Sequence, residues 1–303
     1  MDGSTVIQWL LEDDNPAVKY RTQTEILCQT AGKEAVITWL KAFLPLDWTE
    51  RRGLWFIYYI TAFAECGLSY TDIPLDKKAI VGSGDNHPFE CGCADFMHLR
   101  ALVRLGLGNE PAVKKIIGQL SEQQFPDGGF LCLHRIKKLE RIPKSCVKAN
   151  MHTLMFCAEC KKKGIQTNIE KPLLDYFWNH KLFYRTDNPE TLILNAREGW
   201  RTIDTFYPFE VMRVGLQNII ESLCALGYGN DGRLDQAWSL LEEKKDPLGK
   251  MILNGTLSKS YLPKAKERCG KPSKWATFYT LLALKEKGSG SYREGSKPLK
   301  SGK

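Results

Sequence analysis

Long apolar runs are missing from this chain. No stretch of 18 consecutive apolar residues occurs, so no segment reads as a membrane-spanning helix. A basic segment followed by an apolar one is also missing from the N-terminus, Met1-Asp2-Gly3-Ser4, which argues against a secretory leader and leads to the expectation of a cytoplasmic protein. Val81-Gly82-Ser83-Gly84 is not followed by Lys-Ser/Thr, so it is not a phosphate-cradling loop. Cysteine, by contrast, is plentiful. Ten of them in an unsecreted chain argue against a disulfide framework and leave three roles: buried filler, reactive thiol or metal ligand.

The 303 residues are 43% hydrophobic, enough for a full core, and carry a formal net charge of +8. Much of the excess sits in 285–303, with six Lys/Arg against two Glu. That stretch reads as a solvated basic tail, with contact to acidic lipid headgroups or nucleic acid as the alternative.

The organising stretch is Glu122-Gln-Gln-Phe-Pro-Asp-Gly-Gly-Phe130, which closes a helix pair beginning near Cys93. Set beside 223–250, residues 102–129 align without gaps at an offset of 121. Leu102, Leu105, Gly106, Gly108 and Asn109 fall on Leu223, Leu226, Gly227, Gly229 and Asn230, and Leu120, Pro126 and Gly128 fall on Leu241, Pro247 and Gly249. Self-similarity at a fixed offset marks stacked or closed repeats, whose units cannot bury their apolar faces singly. Within the unit, Phe96 to Leu107 has helical apolar spacing with Gly106 and Gly108 as the stop. Pro111 opens a second helix with Val113, Ile116, Ile117 and Leu120 as its stripe.

A helix pair ending in Gln-x-x-x-Asp-Gly-Gly-aromatic (Gln123 or Gln124, Asp127, Gly128, Gly129, Phe130) resembles the repeat of the α/α-toroid superfamily, which contains protein prenyltransferase β subunits and squalene and other class II terpene cyclases. The second copy, Lys245–Met251, is degenerate, and the resemblance covers most of 90–285. It implies an all-α fold, an α/α toroid over 1–287, followed by a disordered basic tail at 288–303.

Along the chain, Val6, Ile7, Leu10 and Leu11 make one face of a first helix. Asp13-Asp14-Asn15-Pro16 stops it and caps the next. Glu12-Asp13-Asp14 does not match the Asp-x-Asp-Asp proton donor of class II cyclases. Residues 17–44 give two helices hinged at Gly32. Trp55 to Cys66 is a helix apolar nearly all round and therefore buried on several sides. Residues 67–92 read as irregular. Helices are expected at 148–160, 172–181, about 209–226, 231–245 and 274–287, with Gly288 as the last stop.

Thiols cluster around the starts of these helices: Cys91 and Cys93 before one, Cys132 after the Gly-Gly-Phe turn and Cys146 at the opening of another, with His152 inside it. Thiolate and imidazole are the set that zinc prefers. The resemblance implies more. Prenyltransferase β subunits hold zinc with Asp-x-Cys and a later His, and here Cys91-Gly92-Cys93 and Met151-His152-Thr153 occupy those places. Cys91 in place of Asp makes the set richer in sulfur, which favours a closed, structural site. Packing is the competing reading for all five residues. Cys28, Cys66 and Cys224 read as core filler on helical apolar faces, Cys157-Ala-Glu-Cys160 as packing in mid-helix, and His98 and His134 as spare ligands.

Two functions follow. The first is a prenyltransferase- or cyclase-like toroid that binds an apolar, isoprenoid-like molecule in a central cavity, with zinc at the rim and Lys148, Arg100, Arg201 or Arg213 receiving a diphosphate. The alternative is a non-catalytic repeat protein, braced by structural zinc or packed thiols, that binds a peptide or protein partner.

Overall fold

Asn15 caps the second helix by accepting a hydrogen bond from the Val18 N–H at 3.2 Å, with Pro16 at the first helical position. Asn15 alone makes the cap; the acids before it pair with lysines, Asp13 with Lys19 and Glu12 and Asp14 with Lys274. The computed structural model describes residues 3–45, 47, 49–50, 53–81, 92–131, 145–208, 213–256 and 267–290. Among them the protein is all-α, with twelve α-helices and no strand beyond isolated bridges.

The helices are α1 (Gly3–Leu10), α2 (Pro16–Arg21), α3 (Glu34–Phe43), α4 (Leu54–Glu65), α5 (Lys77–Val81), α6 (Cys93–Arg104), α7 (Pro111–Gln119), α8 (Val147–Lys162), α9 (Glu170–Asn179), α10 (Leu216–Ala225), α11 (Asp235–Glu242) and α12 (Lys274–Gly290). A π-helical turn, Thr22–Ile26, prolongs α2. Several boundaries differ from the sequence reading: the helix expected from about 209 begins at Leu216, and the one expected at 231–245 is the shorter Asp235–Glu242 after a 3-10 turn at Gly232–Leu234. The stretch 67–81 holds α5 and a 3-10 turn at Tyr70–Asp72, which Ser69 and Asp72 cap reciprocally. Gly288 does not end α12, which runs to Gly290. The tail from 291 and residues 82–91 lie outside the described residues.

The internal repeat is built into the backbone. Gly106 and Gly227 take φ of 90° and 95°, and Gly128 and Gly249 take 85° and 80°. Leu107 N–H donates to Leu102 C=O as Tyr228 N–H does to Leu223 C=O, and Gly128 N–H donates to Phe125 C=O as Gly249 N–H does to Asp246 C=O. Each pair is separated by the offset of 121. The degenerate copy therefore keeps its turn because glycine holds the left-handed position, whatever surrounds it.

Helix α4 packs on α6, α6 on α8, α8 on α10, α10 on α12, and α12 on α2, while α3, α9 and α11 pack on α2, α8 and α10. Helix α8 shows its central place: every residue from Ala149 to Cys160 is buried. Phe130 returns onto its own hairpin, fully buried, with its ring 4.9 Å from Phe96 in an edge-to-face pair, a geometry that adds about 0.5–1.5 kcal/mol beyond the area buried.

Gly128 joins one hairpin to the next, because a Cβ there would sit 1.9 Å from the Pro172 carbonyl oxygen on α9. Nothing lies within 4 Å of a Cβ at Gly106. Gly106→Ala is expected to lose only the left-handed preference, about 1–2 kcal/mol. Gly128→Ala must lose that and displace α9, so its urea midpoint falls further. Equal midpoints for the two variants would contradict this packing.

Candidate functional site

Charged side chains meet where the apolar faces of the helices converge. Glu65, the last residue of α4, is fully buried. Its carboxylate pairs with Arg100 of α6 and accepts a hydrogen bond from the Tyr279 hydroxyl of α12. Arg21 of α2, also fully buried, donates to the Glu65 carbonyl at 3.0 Å and to the Tyr279 oxygen at 2.9 Å. Its guanidinium lies 4.4 Å from the Phe278 ring centroid, within cation–π range. Arg104 extends the network to Glu159 of α8 at 2.9 Å and to the Ala64 carbonyl. Arg21 also forks onto Glu25.

Three guanidiniums thus face three carboxylates, and burial sets the stakes. Burial alone would raise the Glu65 carboxyl, but the charges of Arg100, Arg104 and Arg21 outweigh it and hold Glu65 below the usual carboxylate range. Burial likewise opposes ionisation of Glu25, yet Arg21 chiefly brings it down to about 2. Beside this network opens a cleft of about 470 Å3, lined by Glu25, Arg104, Glu159, Lys162, Lys285 and Glu286 among others. Its charges are largely cross-paired, as in the Lys162 bridges to Glu221 and Glu286.

The expected metal ligands lie toward the other ends of these helices. Cys93, half-buried at the start of α6, packs on a small cluster of Ile57 and Met97. Cys146 is buried as the cap of α8, with its N–H donated to the Phe130 carbonyl at 2.7 Å. His152 is 3% exposed and lines a cavity of about 10 Å3 with Met97, Arg100, Met155, Tyr207, Arg213 and Asn218. Cys91, Cys132 and His134 lie outside the described residues. Among the described residues no group of three His, Cys, Asp or Glu stands where it could hold a metal ion. A dication beside His152 would also sit near two guanidiniums, so it needs thiolate charge to offset them.

Other thiols resolve more simply. Cys66, Cys157, Cys160 and Cys224 are buried, and burial raises all four, Cys157 and Cys224 to about 12. They stay protonated and fill space. Cys28 departs from the expectation of core filler: it is exposed, its φ is 55°, and its Sγ lies 2.9 Å from Lys285 Nζ. The helix carrying it ends at the π turn, so helical spacing no longer applies there. His98 is half-buried and edge-on to Phe56.

Of the four cations put forward for an anionic group, Arg100 is paired with Glu65 and Arg201 with Asp204 at 2.7 Å. Lys148 is half-buried in the first turn of α8 and is also engaged. Arg213 keeps Nε and Nη1 buried and without a hydrogen-bond partner among the described residues. Sequence reasoning missed Glu65, Arg21 and Tyr279. The available signal was charge inside otherwise apolar helices, such as Arg100 within Cys93–Arg104.

Set against protein family models, curated proteins and solved structures, the chain matches none. The class it defines is therefore drawn from its own geometry: an all-α protein containing an internally repeated helical hairpin, with an ionic network buried among its central helices.

Two expectations follow from the buried acids. Glu65→Leu leaves Arg100 buried without its paired counter-ion, while Arg21 keeps Glu25, so denaturant unfolding should show a loss of about 3–5 kcal/mol. A change under 1 kcal/mol would mean that water reaches the network. Glu267, 3% exposed, accepts the Trp275 N–H at 3.2 Å at the start of α12. Burial pushes its carboxyl up to about 7, against hydrogen bonds from Ser273, Trp275 and Lys274. An unfolded glutamate titrates near ~4.3, so between that pH and about 7 the folded state holds the extra proton. Its stabilising share is complete below the window and is lost as pH rises through it, so Glu267→Gln should flatten that fall in thermal melts.

Proposed function

We propose that this chain is an α/α toroid of the prenyltransferase and terpene-cyclase kind, which binds an apolar, isoprenoid-like molecule between its inner helices. The observation that carries this reading is the succession of neighbours α4, α6, α8, α10, α12 and α2, with Arg21 on α2 bonded to the end of α4. An order of contacts that returns to its start is what a ring of hairpins requires. The ligand would approach the end where Met97, Met155 and Tyr207 lie; the cavity there is only about 10 Å3, so the inner helices must part to admit an apolar chain, and the larger cleft is lined mainly by charged side chains.

Cys91, Cys93, Cys132, Cys146 and His152 are the residues that would hold zinc, which supplies charge to bind a thiolate or acidify a water. A second reading, a non-catalytic toroid that binds a peptide or protein partner, is favoured by Cys93 and Cys146 packing as ordinary core neighbours.

Metal analysis of the purified protein separates these. The first reading expects about one zinc per chain, lost in Cys93→Ser and His152→Ala, together with saturable quenching of tryptophan fluorescence by an isoprenoid diphosphate. Protein without metal and without quenching would leave the scaffold reading.

A further inference from the structure

The small cavity beside His152 is lined by hydrogen-bond donors that the protein does not use. Arg213 Nε and Nη1 and Asn218 Nδ2 are each buried and without a partner. Asn218 is 1% exposed, and its neighbours fix which way its amide points. Gln217 Nε2 donates to the Phe206 carbonyl at 2.6 Å, which sets the Gln217 amide. The same nitrogen donates to Asn218 Oδ1 at 2.9 Å. Turning Asn218 over would set donor against donor, so Nδ2 is the atom left without an acceptor.

Arg213 has a cation–π neighbour: its guanidinium lies 4.3 Å from the Trp200 ring centroid. That contact engages the flat face and leaves the in-plane N–H groups unbonded. The adjacent carboxylate, Asp204, is committed to Arg201 and Lys244. Burial accordingly lowers the Arg213 pKa, with only Asp204 in opposition. Asn218 is the third residue of α10, so the positive end of that helix faces the same way. A water molecule accepts two hydrogen bonds and brings no charge. It would satisfy neither the number of donors nor the unbalanced guanidinium.

We propose that Arg213 and Asn218 form a receptor for one small oxyanion group, a carboxylate or a phosphate, at the N-terminal end of α10. The cavity of about 10 Å3 has room for about one water-sized atom, so a single ligand oxygen enters between the two side chains and the rest of the ligand stays at the cavity mouth. The assignment concerns the same cavity as the toroid reading, and Arg213 is among the cations that reading offers for a diphosphate, but it rests on the unpartnered donors alone. It needs neither zinc nor an isoprenoid, and it stands if both are absent.

The test is a thermal-shift titration of the intact protein with inorganic phosphate and with acetate, each at constant ionic strength balanced by chloride. The receptor expects a saturable rise in melting temperature with at least one of the two. A response to phosphate alone marks a phosphate-bearing ligand, and a response to acetate alone marks a carboxylate. Asn218→Leu and Arg213→Met should each weaken that anion about tenfold or more, the size of one charge-assisted hydrogen bond. Asn218→Leu also removes the acceptor of Gln217 Nε2, so its response to anion is read against its own anion-free melting temperature. If Arg213→Met does not fold, Asn218→Leu carries the test. No saturable rise with either anion, or the same rise in wild type and Asn218→Leu, overturns the proposal.

Discussion

The buried Glu65 carboxylate is the point on which the arrangement of helices depends. It lies at the end of an apolar helix where an ionised acid is tolerated only because Arg100, Arg21 and Tyr279 reach it from three other elements. Apolar packing is non-directional and would let these helices slide or rotate. A charge that must be met from fixed directions does not. The network therefore sets how far each helix extends inward and which of its faces turns to its neighbours, while the surrounding leucine, phenylalanine and methionine contribute most of the burial energy.

The same network divides the interior. On one side the cleft near Lys162 and Glu286 is polar, and its charges are largely matched to one another. On the other, around His152, the wall mixes thioether and aromatic surface with Arg213 and Asn218 nitrogens that have no hydrogen-bond partner among the described residues, the nearby Asp204 being paired with Arg201 and Lys244. A protein has little reason to keep an unmatched guanidinium in its interior for stability, since burial works against the charge. This asymmetry is why the second region, although the smaller of the two, is the better candidate for a ligand.

The thiols divide by environment rather than by spacing. Among the described residues four are deep and protonated, two are exposed (Cys28 against a lysine, and Cys269), and Cys93 and Cys146 stand at helix starts among core neighbours. Sequence order groups the latter two with Cys91, Cys132 and His152. Proximity in the chain says nothing about which faces they take, and the wall beside His152 turned out to carry arginines.

Much of the fold was legible in the sequence because it rests on local rules. Gly106 and Gly227, and Gly128 and Gly249, repeat at one offset because a left-handed turn needs glycine, and Asn15-Pro16 marks a helix start wherever it occurs. Helix existence and the repeated hairpin followed from such signals. The end of α12 and the short α5 did not, since weak breakers yield to packing. The partners of Glu65, Arg213 and Asn218 lie tens to hundreds of residues away or next door in no pattern that periodicity reveals. Only the folded chain decides which charges are matched and which are left over, because pairing depends on distance and burial, and neither is written in the order of residues.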